Sequence, residues 1–140
     1  MAAMTESARE AFLSRPRIGV LSTLAEDGAP VAIPIWFEWD GHRILMFTGE
    51  TSPKLRRLQN DARATFLVAA EVGEKEEWVA MDGQVAIHPD GAIELAARLA
   101  ARYWDLNDPE RAATLQQWRD QASALRLLEI IPSRIRSYTG

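Results

Sequence analysis

Hydrophobic and polar positions alternate along most of this chain in short runs broken by Asp-Gly and Pro steps, and helical spacing appears in only a few stretches. The first is Ser7 to Leu13, where Ala8, Ala11 and Phe12 fall on one side while Arg9 and Glu10 stay in water. It predicts a short amphipathic helix that lids something. Arg17 to Leu24 has strand composition, and Asp27-Gly28 turns the chain back. The return arm, Pro30 to Trp39, ends at Asp40-Gly41, and Arg43 to Thr48 reads as a third strand. An antiparallel meander is expected. Lys54 to Asn60 then predicts a short basic helix, and Ala62 to Glu71 a strand with Phe66, Val68 and Ala70 on one parity.

Val72 to Glu77 is polar, carries Gly73 and reads as a turn, after which Trp78 to His88 predicts a strand bent at Asp82-Gly83. Ala92 to Tyr103 predicts a helix, and Asp108-Pro109-Glu110 caps a second one running to about Ala124. Leu125 to Ile131 and Ser133 to Tyr138 close the chain as strands separated by Pro132. This order predicts a mainly β fold with α: a split, six- to seven-stranded antiparallel barrel with helices at the rims.

Composition adds bounds. With 140 residues and 47% hydrophobic content, one domain over residues 1–140 is expected, built on one core. The absence of cysteine removes disulfides and thiolate metal sites and suits a reducing interior. Met1 to Glu10 does not read as a leader and no run reaches membrane-spanning length, so a cytoplasmic protein without membrane contact is expected. A net charge of −4 argues against general nucleic-acid affinity. His42 and His88 both lie beside turns, so neither a metal nor a catalytic triad is expected and no catalytic side chain is assigned. The cluster Glu74, Lys75, Glu76 and Glu77 reads as a solvated loop, and no glycine-rich nucleotide motif is present.

The candidate chemistry lies at Phe47-Thr48-Gly49-Glu50-Thr51-Ser52-Pro53-Lys54-Leu55, where a strand end meets a helix start with Thr48, Ser52 and Lys54 crowded together. Helix starts have unpaired N–H groups and positive partial charge, so added hydroxyls and an ammonium make an anion site. The alternative is a plain N-cap at Ser52 with Pro53 at the first helical position. Arg56, Arg57 and Arg63 read as a solvated face. Trp36 and Trp39 stand at odd strand spacing and so face opposite ways, and Trp104 and Trp118 read as core or dimer-seam residues. A flat ring stacked near Trp36 or Trp78 is the sharper alternative.

The series Arg17-Ile18-Gly19-Val20-Leu21-Ser22-Thr23-Leu24, Asp27-Gly28-Ala29-Pro30 and Pro34-Ile35-Trp36-Phe37 continues with Ile44-Leu45-Met46-Phe47-Thr48, Ser52, Lys54-Leu55 and Asn60-Asp61-Ala62-Arg63-Ala64. In this order it resembles the pyridoxamine 5′-phosphate oxidase-like flavin-binding split-barrel family over about Ala11 to Val85. The resemblance implies a homodimer with cofactors at the subunit interface, the phosphate gripped by Thr48, Ser52 and Lys54. It also implies backbone groups of Ile33, Pro34, Ile35 and Trp36 along the ring edge, with Trp78 on the ring wall. FMN is the expected cofactor, the deazaflavin factor 420 the alternative. The expected activity is hydride transfer to a small organic substrate. The alternatives are a non-catalytic carrier of flavin, deazaflavin or haem, and a barrel with an empty groove. Ala32 stands where an arginine commonly reaches the phosphate, Pro53 interrupts the Ser-Arg-Lys run, and the C-terminal Trp-Gly element is missing. Oxidation of pyridoxamine phosphate itself is therefore not expected.

Overall fold

A computed structural model describes residues 2–140. The helices are α1 (Glu6–Ser14), α2 (Pro53–Asn60), α3 (Ala92–Tyr103) and α4 (Pro109–Asp120), the last followed by a 3-10 turn at Ala122–Ala124. The strands are β1 (Gly19–Leu24), β2 (Pro30–Ile35), β3 (Glu38–Trp39), β4 (Ile44–Gly49), β5 (Arg63–Ala69), β6 (Glu77–His88), β7 (Leu125–Ile130) and β8 (Arg134–Thr139). They form one antiparallel sheet in the order β2-β1-β5-β6-β7-β4-β3, with β8 added beside β6. None of the helices is long and apolar enough to cross a membrane.

The expected meander does not form. The arm from Pro30 to Trp39 breaks at Trp36-Phe37, and its two halves end on opposite edges of the curled sheet: β2 pairs only β1, and β3 pairs only β4. That division makes eight strands where six or seven were expected, and the two edges are the lips of the split. The break has a physical anchor. Phe37 is fully buried against Phe66, ring centroids 5.0 Å apart, so the chain turns inward there instead of continuing the pleat.

Inward parity is consistent across the barrel. Leu21 and Thr23 on β1, Ile44, Met46 and Thr48 on β4, and Ala64, Phe66 and Val68 on β5 are all buried. Leu45 on the opposite face of β4 is buried instead against Leu95 and Leu99 of α3, with Trp36, Phe47, Tyr103 and Leu127 packed around them. Helix α3 buries Ala92, Leu95, Ala96, Leu99 and Ala100, one face at helical spacing. On α1 the buried side chains are Phe12 and Leu13, while Ala8 and Ala11 are exposed. The helix therefore plugs the barrel core with its last turn, tied down by Arg102, which donates to the carbonyls of Leu13 and Ser14 at 3.3 and 3.1 Å.

Strand β6 bends as its Asp82-Gly83 pair predicts. Its first half pairs β8 from Glu77 to Asp82, and its second half pairs β7 from Val85 to His88. Gly83 sits at that corner, where an added Cβ would lie 2.9 Å from Ile130 Cγ2 and 3.1 Å from the Ile131 carbonyl oxygen. Gly83→Ala should therefore cost about 1–3 kcal/mol through overpacking. Urea denaturation checks this, and an unchanged midpoint would show that the corner has slack.

The acidic loop is more than solvated. Arg17, buried among α1 and β1, donates to Glu74 Oε1 at 2.9 Å and to the Phe12 carbonyl at 2.6 Å, and its guanidinium lies 4.0 Å from the Phe12 ring. The Arg17 guanidinium, together with the Glu71 backbone N–H, holds the Glu74 carboxyl below its ordinary pKa of 4.5.

Candidate functional site

Thr48 is the last inward-facing residue of β4, and α2 starts a few residues later with Ser52 as its N-cap, so the turn between them folds the two hydroxyls together. Thr48 Oγ1 donates to Ser52 Oγ at 2.7 Å, the Leu55 backbone N–H donates to the same oxygen at 3.3 Å, and Lys54 Nζ donates to Thr48 Oγ1 at 3.2 Å. The helix cap at Ser52 is present, and Thr48 and Lys54 are gathered around it.

Arg57 joins them. It stands one helical turn after Lys54, is half-buried, and its Nε donates to Thr23 Oγ1 at 2.8 Å. The expectation of a solvated face therefore holds for the exposed Arg56 and Arg63 but not for Arg57. Arg63 is neutralised by Asp61 at 2.8 Å. Among the described residues, neither Lys54 nor Arg57 has a carboxylate partner. Burial, followed by the neighbouring Arg57 charge, pushes the Lys54 ammonium below its ordinary pKa of 10.5. Thr23 and Arg57 had a sequence signal: a threonine on the inward parity of β1, and a cation three positions after Lys54 on the same helix face.

A second feature adjoins this cluster across β4. Phe47, one residue before Thr48, faces outward and with Trp36, Trp104 and Trp118 walls a cavity of about 480 Å³ that Pro34, Ile35 and the exposed Ile18 also line. Trp36 stacks on Tyr103 at 5.1 Å and 5°, and meets Trp104 nearly at right angles, 4.7 Å and 86°. Trp118 lies against Trp104 at 5.5 Å and against Phe47 at 5.3 Å. Of the two places expected for Trp104 and Trp118, the core is not where they lie: each is half-buried and forms cavity wall. Trp36 and Trp39 do face different layers, although the cause is the strand break: Trp39 packs on the barrel core and its Nε1 donates to Glu10 at 2.6 Å.

The segment expected along the ring edge lies at a sheet edge. Ile33, Pro34 and Ile35 lie on β2, an edge strand, and Pro34 has no N–H to offer a further strand. Trp78 is elsewhere: it sits on β6 opposite Tyr138 of β8, ring centroids 6.3 Å apart, and does not line the aromatic cavity. A larger depression of about 740 Å³ lies on the outer face of β1, β5 and β6, but both charged residues lining it are already paired, Asp82 with Arg136 at 2.6 Å and Arg63 with Asp61 at 2.8 Å. Among the described residues no cluster of His, Asp or Glu has the makings of a metal site.

The family profile described as Pyridoxamine 5'-phosphate oxidase matches residues 5–138. The chain belongs to that family. Its fold is also that of solved structures. A protein titled F420 Reductase is 22% identical with a TM-score of 0.72, over 90% of this chain and 94% of that one. A conserved hypothetical protein from Mycobacterium tuberculosis is 24% identical with a TM-score of 0.72, over 97% and 85%. A FAD-binding protein from Mesorhizobium loti is 16% identical with a TM-score of 0.66, over 97% and 95%. At these identities the likeness is one of fold. Among curated proteins, none matches the chain by sequence.

Proposed function

We propose that this family member is a flavin- or deazaflavin-dependent oxidoreductase that holds the phosphate of its cofactor at Thr48, Ser52, Lys54 and Arg57. One observation carries the reading: the cluster presents donors without matching acceptors. Lys54 uses one N–H on Thr48, Arg57 uses only Nε, and the Ser52 hydroxyl accepts two bonds and donates none among the described residues. Two cations and a hydroxyl converge where burial and mutual repulsion already disfavour the ammonium. A phosphate relieves that strain, because each oxygen accepts charge-assisted bonds from donors already in place.

The ring would lie along the edge of β2, with backbone groups of Ile33, Pro34, Ile35 and Trp36 beside it, since an edge strand leaves half its backbone groups unpaired. A bound flavin or deazaflavin supplies the hydride chemistry; the protein's part is to grip the tail, orient the ring and keep one face dry. In that division no convergent set of catalytic side chains is required of the protein. FMN is the first candidate and factor 420 the second, a name shared by one of the structural neighbours. Trp78, away from the aromatic cavity, remains in the proposal only as a ring wall contributed across a homodimer of cytoplasmic protein. Exposed Leu67 on the outward face of β5 favours a second copy there.

Purified protein titrated with FMN and with factor 420, followed by visible absorption and light scattering, tests the reading. Binding at micromolar concentration is expected, with a particle of twice the chain mass, and reduction of the bound ring by a nicotinamide cofactor, or transfer from reduced factor 420, separates an enzyme from a carrier. Failure of both cofactors to bind at tens of micromolar, roughly −6 kcal/mol, would end the proposal.

A further inference from the structure

From the aromatic cavity we infer a binding site for an uncharged, planar aromatic molecule, one that excludes phosphorylated pyridines. Naming this guest the substrate rests on the oxidoreductase reading above; that the cavity binds it does not.

Shape comes first. The space of about 480 Å³ is of the size that holds small organic ligands. Its walls stand in two directions, Trp36 nearly perpendicular to Trp104 and Trp118 within 25° of parallel to Trp104. A flat guest can stack on one wall while meeting the other edge-on, and both arrangements are favourable for aromatic rings. A branched aliphatic guest can satisfy neither.

Charge comes second. None of the lining residues is ionisable. A cation finds no carboxylate inside, and cations already lie over a wall ring and over Tyr103, on which Trp36 stacks: the Arg111 guanidinium is 5.2 Å from the Trp104 ring and that of Arg102 is 5.7 Å from Tyr103. An anion finds no cation inside, since the cluster at Lys54 opens on the inward parity of β4 and Phe47 on the outward one. Arg111 is itself held 3.8 Å from Asp108. Desolvating a charge in this apolar space without a partner is unfavourable for either sign, which leaves neutral guests.

Position comes third. Pro34, Ile35 and Trp36 form one side of the cavity, and these are the residues proposed to border the cofactor ring. A guest seated here lies against that ring's edge of the barrel, and the exposed Ile18 at the rim leaves an entry path.

A matched pair of dyes tests the inference. N-phenyl-1-naphthylamine is neutral, and 8-anilinonaphthalene-1-sulfonate is the same skeleton carrying a sulfonate; both brighten in apolar sites. In cofactor-free protein the neutral dye should bind about tenfold or more tightly than the sulfonate. Ile18→Glu, at an exposed rim position, should weaken the neutral dye by about tenfold or more, and Ile18→Gln by clearly less. Equal affinity for the two dyes, or an Ile18→Glu protein that melts normally and binds the neutral dye unchanged, would overturn the assignment. If FMN and factor 420 both fail to bind while the dye pattern holds, the cavity stands and only its guest's role as a redox substrate falls. If a cofactor binds and the neutral dye does not, the cavity assignment falls alone.

Discussion

Phe37→Ala should lower the stability of the protein by about 3–5 kcal/mol, the cost of deleting a buried aromatic ring and leaving a void. The ring has no exposed surface and lies 5.0 Å from Phe66 at 66°, an edge-to-face pair. Gly19 is close on the same side; a Cβ there would approach Phe37 Cδ1 to 3.3 Å and collide with the Phe66 ring, so the two phenylalanines fill space that only a glycine leaves open. The void cannot close by a simple inward shift of β1, because β1 is fixed by β2 on one side and β5 on the other. The substitution also acts on the chain path. Phe37 anchors the step from the β2 edge to the β3 edge, and its backbone N–H and carbonyl both lie 3.4 Å from the Tyr103 hydroxyl. Losing the anchor should therefore loosen Trp36 and the aromatic cavity as well as the core. Urea unfolding gives the stability loss, and fluorescence of the tryptophans in the native state reports the cavity. A loss under about 1 kcal/mol, well short of the buried-ring range, would show that the crossing is held by something other than this ring.

The same residue shows what the sequence made legible and what it hid. Elements defined by local chemistry were readable to within a few residues: Ser52-Pro53 starting α2, Asp108-Pro109 starting α4, Asp27-Gly28 at the first hairpin with Gly28 at a φ of 86°. The bend at Asp82-Gly83 was readable too. Hidden was the split at Trp36-Phe37, because two consecutive aromatic residues have excellent strand propensity and nothing local marks them as a crossing; only the distant Gly19 and Phe66 decide it. Strand neighbours were equally out of reach, since β4 pairs β7 across a long sequence gap. At the candidate site, Thr48, Ser52 and Lys54 were found by proximity in sequence. Arg57 was misjudged because a cationic helix face is usually solvated, and Thr23, which holds it in place, arrives from another element. For Trp118 of α4 and Trp104 just after α3, the core half of the core-or-seam expectation rested on large apolar rings normally filling space; within this chain they surround it.

Lys54→Ala should weaken cofactor binding by about 1.5–3 kcal/mol, roughly 10- to 150-fold, the worth of a charge-assisted bond to phosphate in a half-buried site. Lys54→Met, which keeps the aliphatic stem, should give the same loss, separating charge from packing. Without cofactor the direction reverses. Burial and the Arg57 charge hold the Lys54 pKa below its ordinary 10.5, so in the empty protein the ammonium opposes folding and Lys54→Met should be at least as stable as the wild type. In the interval between that lowered value and 10.5 the unfolded chain binds more protons than the folded one. Wild-type stability should accordingly rise with pH there, a rise absent in Lys54→Met. Affinity should follow the opposite course. Once the cofactor phosphate is fully ionised, above about pH 7, further increase in pH removes the Lys54 proton and should loosen binding in the wild type but not in the variant. Calorimetric titration across this range, with thermal melts of the same samples, reads both trends. A Lys54→Met protein that binds FMN and factor 420 with wild-type affinity would remove the phosphate from this cluster, and Thr48, Ser52, Lys54 and Arg57 would then be a helix cap and its neighbours.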